Sequence, residues 1–280
     1  MRHFSLDDEP LGEKNIYISP VTTPTSTVDE EKCLVRIPLR DARLHTKDVW
    51  KYIVQNLPYF MLVISLAEAI IYFECNADIR KLLRFDPDKK YEIWRYLTYM
   101  LLHEDVVHLT LNLFLQCTFA FFLETKQGRL KVAILYLAGG VTGVLGASCI
   151  NPGILIGASA GVYSLLISLV ADLYLNYENI KYKAYRGICI SVLVLSDITF
   201  NLYHFWSREE PVISWEAHLF GGLTGLILGL ALYENTKGLQ QERKNICLTF
   251  SSLLYFLIFT TLVIITIDSG ASKCANKMNS

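Results

Sequence analysis

The chain has 280 residues, 52% of them apolar and only 19% charged, with a mean hydropathy of +0.32. A soluble domain of this length carries more charge and interrupts its apolar runs sooner, so the composition points to a membrane protein. The net charge of −1 supplies no field for nucleic acid, and seven cysteines without CxxC spacing argue against a zinc module or a disulfide framework.

Residues 1–50 are polar and Ser/Thr-rich, with Pro10, Pro20 and Pro24, and read as a flexible tail. The tail carries Asp7, Asp8 and Glu9 and lacks an apolar core segment, unlike a secretory signal or a mitochondrial presequence. After it, apolar blocks near the ~20 residues needed to cross a bilayer recur. Seven are predicted, over 57–73, 107–123, 130–150, 159–175, 187–205, 214–233 and 246–267. The expected architecture is therefore all-α, a polytopic bundle of seven transmembrane helices. Its parts are a cytosolic tail (1–50), a six-helix core (51–236), and a linker with a seventh helix and a short external tail (237–280). Glu68, Asp172 and Asp197 fall inside predicted spans and should face protein or water, because a charge in hydrocarbon is expensive.

Short loops set the orientation. Lys126, Arg129 and Lys131 follow span two, Lys181, Lys183 and Arg186 follow span four, and Lys237, Arg243 and Lys244 follow span six. The loops after spans three and five offer only Arg208. Basic residues favour the cytosolic side, so the N-terminus is expected there and the C-terminus outside or in a lumen. The loop over 74–106 should then be external despite its basic residues. Its amphipathic stretch YEIWRYLTYMLLH reads as a piece lying in the interface, where mixed charge is tolerated.

Under this orientation spans two, four and six enter from the external side, and each opens with polar residues. Span two begins LLHEDVVHLTLN, with His108 and Asn112 one turn apart on one helical face and His103 upstream. Span four begins with Ser159 in GASAGVYSLL, and span six carries His218 about one turn inside SWEAHLFGGLTGLILG. All lie within about 10 Å of the same surface. Gly157 and Gly161 flank the serine, and Gly221 and Gly225 line one face of span six. Small faces let helices approach closely in lipid, which a Ser–His hydrogen bond requires. Ser159 is thus the candidate nucleophile and His218 the general base, with the Ser159 N–H, Asn112 and His108 as oxyanion donors. A catalytic carboxylate is not evident. Asp172 lies thirteen residues along the helix, and Glu216 at i−2 points away from His218, so a dyad is expected. Tyr163, one turn after Ser159, is placed to stack on the His218 ring.

These segments resemble the rhomboid family of intramembrane serine proteases. GASAGVYSLL is similar to its GxSx segment, AHLFGGLTG to its AHxxG segment, and HEDVVHLTLN to the histidines and asparagine of its second helix. Trp94–Arg95 resembles the family's WR signature, which supports the first external loop. The resemblance covers the six-helix core and implies oxyanion roles for His108 and Asn112 and a structural role for His103. A seventh span after the core matches the secretase-type members and not the mitochondrial type. Ala160 departs from the glycine common after the nucleophile. The resemblance further implies single-pass membrane proteins as substrates, cleaved within or near their transmembrane segment with release of ectodomains, growth-factor precursors among them. It implies no cofactor, no metal and no nucleic-acid partner, and a multi-pass protein of the plasma membrane or the secretory pathway. The alternative is a catalytically weak adaptor that binds transmembrane clients for trafficking. A transporter with intramembrane His and Asp would string polar groups across the bilayer, whereas these cluster near one face.

Overall fold

The computed structural model describes residues 51, 54, 57–178, 180–207, 214–234 and 241–278. The expected tail over 1–50, Arg208 and Lys237 lie outside the described residues. Described helices are α1 (Tyr59–Glu74), α2 (Ala77–Leu83), α3 (Arg95–Thr98), α4 (Val106–Gln127), α5 (Arg129–Ile150), α6 (Ser159–Leu175), α7 (Lys183–Ser207), α8 (Trp215–Leu232) and α9 (Gln241–Met278). No strand occurs among the described residues, and a single β-bridge pairs Phe85 with Leu155.

Local chemistry sets the helix ends that matter for the site. Asp105 caps α4 by accepting the His108 N–H at 2.8 Å, and Ser214 caps α8 by accepting the Ala217 N–H at 3.3 Å. Between α4 and α5 the chain turns at Gly128 with φ +91°, a conformation a side chain would oppose. The seven expected spans fall on α1 and α4–α9. Five described helices are long and apolar enough to cross a membrane: α4, α5, α7 (over Lys183–Tyr203), α8 and α9 (over Asn245–Asp268). The apolar α6 has only 17 residues. It rises about 26 Å, short of the ~30 Å hydrocarbon core. Its packing between α5 and α8 removes the need to meet lipid along its length.

Helix α6 is the centre of the core. Ala160, Gly161, Ser164, Leu165 and Ser168 are all buried on it. A methyl at Gly221 would overlap the Ala160 carbonyl, and one at Gly225 the Ser164 carbonyl, so α8 runs in backbone contact with α6 over two turns. On α5, a methyl at Gly143 would stand 2.6 Å from the Ala160 Cβ and 2.8 Å from the Ala217 oxygen. Three helices therefore meet where Ser159 and His218 begin their turns. By contrast α7 touches the core lightly and is the least buried of the five long apolar helices.

Charges within these helices are enclosed. Glu68 is fully buried and accepts from Gln116 Nε2 and from the Tyr136 hydroxyl, each at 2.9 Å. Asp172, also fully buried, accepts from Gln127 at 3.0 Å, Arg186 at 2.8 Å, Asn176 at 3.1 Å and Lys126 at 3.3 Å. Gln127 in turn accepts the Glu234 N–H at 2.8 Å, and Lys131 pairs with Glu234 at 2.7 Å. The network ties the ends of α4, α6 and α8 to the starts of α5 and α7, at the end of α6 away from Ser159.

The 75–105 segment folds into α2, α3 and two 3-10 turns (Pro87–Lys89 and Tyr99–Leu101). Two of its basic residues are neutralised locally. Arg80 pairs with Glu104 at 3.2 Å, and the buried Arg95 with Glu92 at 2.6 Å. Arg95 also donates to the Lys81 and Arg84 carbonyls at 2.6 and 2.7 Å, while the Trp94 indole donates to Leu82 O at 3.3 Å. These bonds hold α2 against α3 from the inside.

Candidate active site

The Phe85–Leu155 bridge and a 3.0 Å bond from Gly157 N–H to Tyr99 O clamp the 151–158 segment against the 75–105 layer. The clamp delivers Ser159 as the first residue of α6, where helical N–H groups lack intrahelical partners. Gly157 precedes it with φ +119°, and a methyl there would sit 2.9 Å from His108 Cε1 and 3.9 Å from Ser159 Oγ. Glycine is required on both counts, conformation and space. The His108 imidazole consequently stands over the same backbone turn as the serine.

A cavity of about 140 Å³ opens at this point, lined by Tyr99, Glu104, His108, Gly157, Ser159 and Ala217 among others. His218, next to Ala217 on α8, is buried and stacks on Tyr163, with ring centroids 4.1 Å apart and planes 10° from parallel. Tyr163 is four residues after Ser159, on the same face of α6. The His218 Nε2 atom is buried without a hydrogen-bond partner among the described residues. Gly161 packs under this group, where a methyl would press on Met100 and Tyr136.

Asn112 is buried one turn below His108, to whose carbonyl its Nδ2 donates at 2.9 Å, and it is not among the side chains lining the cavity. His103 is fully buried and meets the His108 ring edge to face at 5.1 Å. Burial foremost, then the nearby His108 and Arg80, pushes the His103 imidazole down to about 3, so it is neutral. No group of three or more His, Cys, Asp or Glu side chains suited to a metal occurs among the described residues.

One side chain is absent from the expected set. His218 Nδ1 lies 3.1 Å from Asp197 Oδ2, delivered by α7. The same carboxylate accepts from Asn201 Nδ2 at 3.3 Å on Oδ1, and the Tyr163 hydroxyl lies close to it. A charge inside a predicted span was the signal for it, and hydropathy gave no rotation of α7 about its axis to say what it faces. Glu216 instead accepts from Ser214 Oγ at 2.9 Å, away from the imidazole.

The fold and this cluster define a class: a membrane helical bundle with a serine and a histidine, Ser159 and His108, lining one cavity at the start of a central helix, and a second histidine, His218, stacked beside them on Tyr163. The family model described as Rhomboid domain matches residues 90–235, and the chain belongs to the rhomboid family of integral membrane proteins. It is 31% identical over 194 residues to Rhomboid-related protein 2 of Mus musculus, covering 63% of this chain and 64% of that protein. Over 234 residues it is 28% identical to Rhomboid-related protein 1 of Caenorhabditis elegans, covering 75% and 65%. It is also 30% identical over 183 residues to Inactive rhomboid protein 2 of Homo sapiens, covering 64% of this chain and 20% of that protein. The chain thus spans just under two thirds of the length of the first two.

Proposed function

We propose that the chain is an intramembrane serine endopeptidase of the secretase type. Its substrates are single-pass membrane proteins, cut within or near their transmembrane segment to release ectodomains. The observation that carries this reading is the shared turn of structure holding Ser159 in the cavity and, through Tyr163, the stacked His218. Ser159 Oγ attacks the peptide carbonyl carbon while its proton passes to His218 Nε2. The proton then moves to the departing amide nitrogen, the C–N bond breaks, and an acyl-enzyme remains. Water, deprotonated by His218 Nε2, attacks the ester carbonyl, the C–Oγ bond breaks, and His218 returns the proton to Ser159 Oγ. The His108 imidazole, the Ser159 N–H and the second N–H of Asn112 supply oxyanion donors. No cofactor or metal takes part. The N-terminus faces the cytosol, in the plasma membrane or a secretory-pathway membrane.

The similarity to a relative named as inactive favours a second reading, an adaptor that binds transmembrane clients without cutting them. The presence of both Ser159 and His218 weighs against it. The two are separated by co-expressing the chain with a panel of single-pass reporters beside Ser159→Ala and His218→Ala. Each variant should abolish product while leaving expression and insertion intact, and the double variant should be no worse than either. Clients retained by wild type and by Ser159→Ala alike, with no product from either, would establish the adaptor.

A further inference from the structure

Histidine can serve as a base at Nε2 only when the proton sits on Nδ1, so something must hold that tautomer. Stacking on Tyr163 fixes the plane of the His218 ring but does not distinguish its two nitrogens. The distinguishing group is on α7. We propose that Asp197 is a positioning residue for His218, its carboxylate accepting the Nδ1–H and leaving the Nε2 lone pair toward Ser159. This rests on the serine endopeptidase reading and adds a member that the dyad lacks.

Three features of the surroundings support the assignment. The carboxylate is an acceptor only, so a nitrogen 3.1 Å away from Oδ2 must be the donor. The carboxylate is itself held, with Asn201 Nδ2 on Oδ1 at 3.3 Å and the Tyr163 hydroxyl close by. Asn201 also donates to Asp197 O at 2.9 Å, so it is locked one turn from the acid on the same helix. Tyr163 therefore borders both partners, stacking its ring on the imidazole with its O–H close to the carboxylate. Asp197 neither gains nor loses a proton during the cycle. The imidazolium formed at His218 when Ser159 attacks is stabilised by the adjacent anion.

The test uses the full chain reconstituted in liposomes with a cleaved single-pass reporter, and fluorophosphonate labelling of Ser159 as a substrate-independent readout. Asp197→Asn keeps the shape and can present an N–H to Nδ1, favouring the wrong tautomer. It is expected to lower kcat roughly tenfold or more. KM should stay within about twofold, the labelling rate should fall in step with kcat, and thermal unfolding should be unchanged. Tyr163→Phe keeps the stacked ring and removes the hydroxyl beside the carboxylate, and is expected to lower kcat severalfold. Should Asp197→Asn fail to fold, Tyr163→Phe decides alone. Wild-type kcat and labelling in either folded variant would overturn the proposal, and a loss confined to KM would reassign Asp197 to substrate binding. Failure of the wild type both to cleave and to label would instead remove the endopeptidase reading, and this inference with it.

Discussion

His103 and His108 share a ring contact yet are built for different work. His108 lines the cavity over Gly157, while His103 is enclosed, with neither ring nitrogen bonded among the described residues. The folded His103 imidazole stays neutral down to about 3, against 6.5 for the free group. A lowered value means that the unfolded chain binds the proton more readily. The stability it contributes is therefore complete above about pH 6.5 and drains away as pH falls toward 3. His103→Phe should preserve the unfolding temperature at pH 7 and flatten its decline between pH 6.5 and 4, measured by thermal scans in detergent. At His108 the expectation is kinetic. His108→Ala should cut kcat by about 10²–10³, the usual worth of one oxyanion donor. Asn112→Ala should cost less, because one of its N–H groups is engaged by His108 O. Equal losses from both would mean that Asn112 swings into the cavity with substrate. Gly221→Ala is different again, since its methyl would meet the Ala160 backbone, which cannot step aside. Overpacking of this kind costs typically 1–3 kcal/mol and should show as lost thermal stability as well as lost turnover.

At the level of elements, the 75–105 layer depends on one guanidinium. Arg95 reaches Glu92, Lys81 O and Arg84 O, a spread that a single ammonium cannot reproduce. Arg95→Lys should therefore destabilise the fold by roughly 2–4 kcal/mol, since hydrogen bonds to a charged group are worth about 1.5–3 each. Because the layer is bridged through Phe85 to Leu155, activity should fall with it. Purified variant and wild type compared by thermal unfolding and reporter cleavage would check both. Trp94 and Arg95 could be read as loop supports from their resemblance alone, and the boundaries of α6 followed from its apolar run. Asp197 shows where such reading stops. Its burial was legible from the cost of charge in lipid, but its partner depends on how α7 rotates against α8, and α8 is apolar all round, so the sequence does not say which of its faces α7 meets. The basic residues at 80–95 strained a charge-based topology for a related reason. Pairings such as Arg80–Glu104 span 24 positions and exist only once the layer folds.

For the molecule as a whole, the orientation we propose follows from the basic loops: it puts the Asp172 network, with Lys126, Lys131 and Arg186, on the cytosolic side and the Ser159 cavity on the other. Epitope tags should accordingly be reached at the N-terminus only after permeabilisation and at the C-terminus without it, in cells displaying the protein at their surface. The reverse result at the C-terminus would mean that α9 does not cross. Enclosure of Glu68 has a consequence for how such a chain is made. Its partners Gln116 and Tyr136 come 48 and 68 residues later. At ribosomal speeds of about 5–20 residues per second, the first helix waits roughly 3–14 s for both. With α1 taken as the first span we propose, an acidic side chain at the middle of that lone helix in lipid costs about 2.5–3.5 kcal/mol during the wait. The nascent α1 is thus a poor anchor until α4 and α5 arrive, and biogenesis needs a protected holding place beside the translocon. Chains truncated before Gln116 should be extracted and degraded, and Glu68→Leu should rescue their retention while leaving Gln116 and Tyr136 without their acceptor in the finished protein.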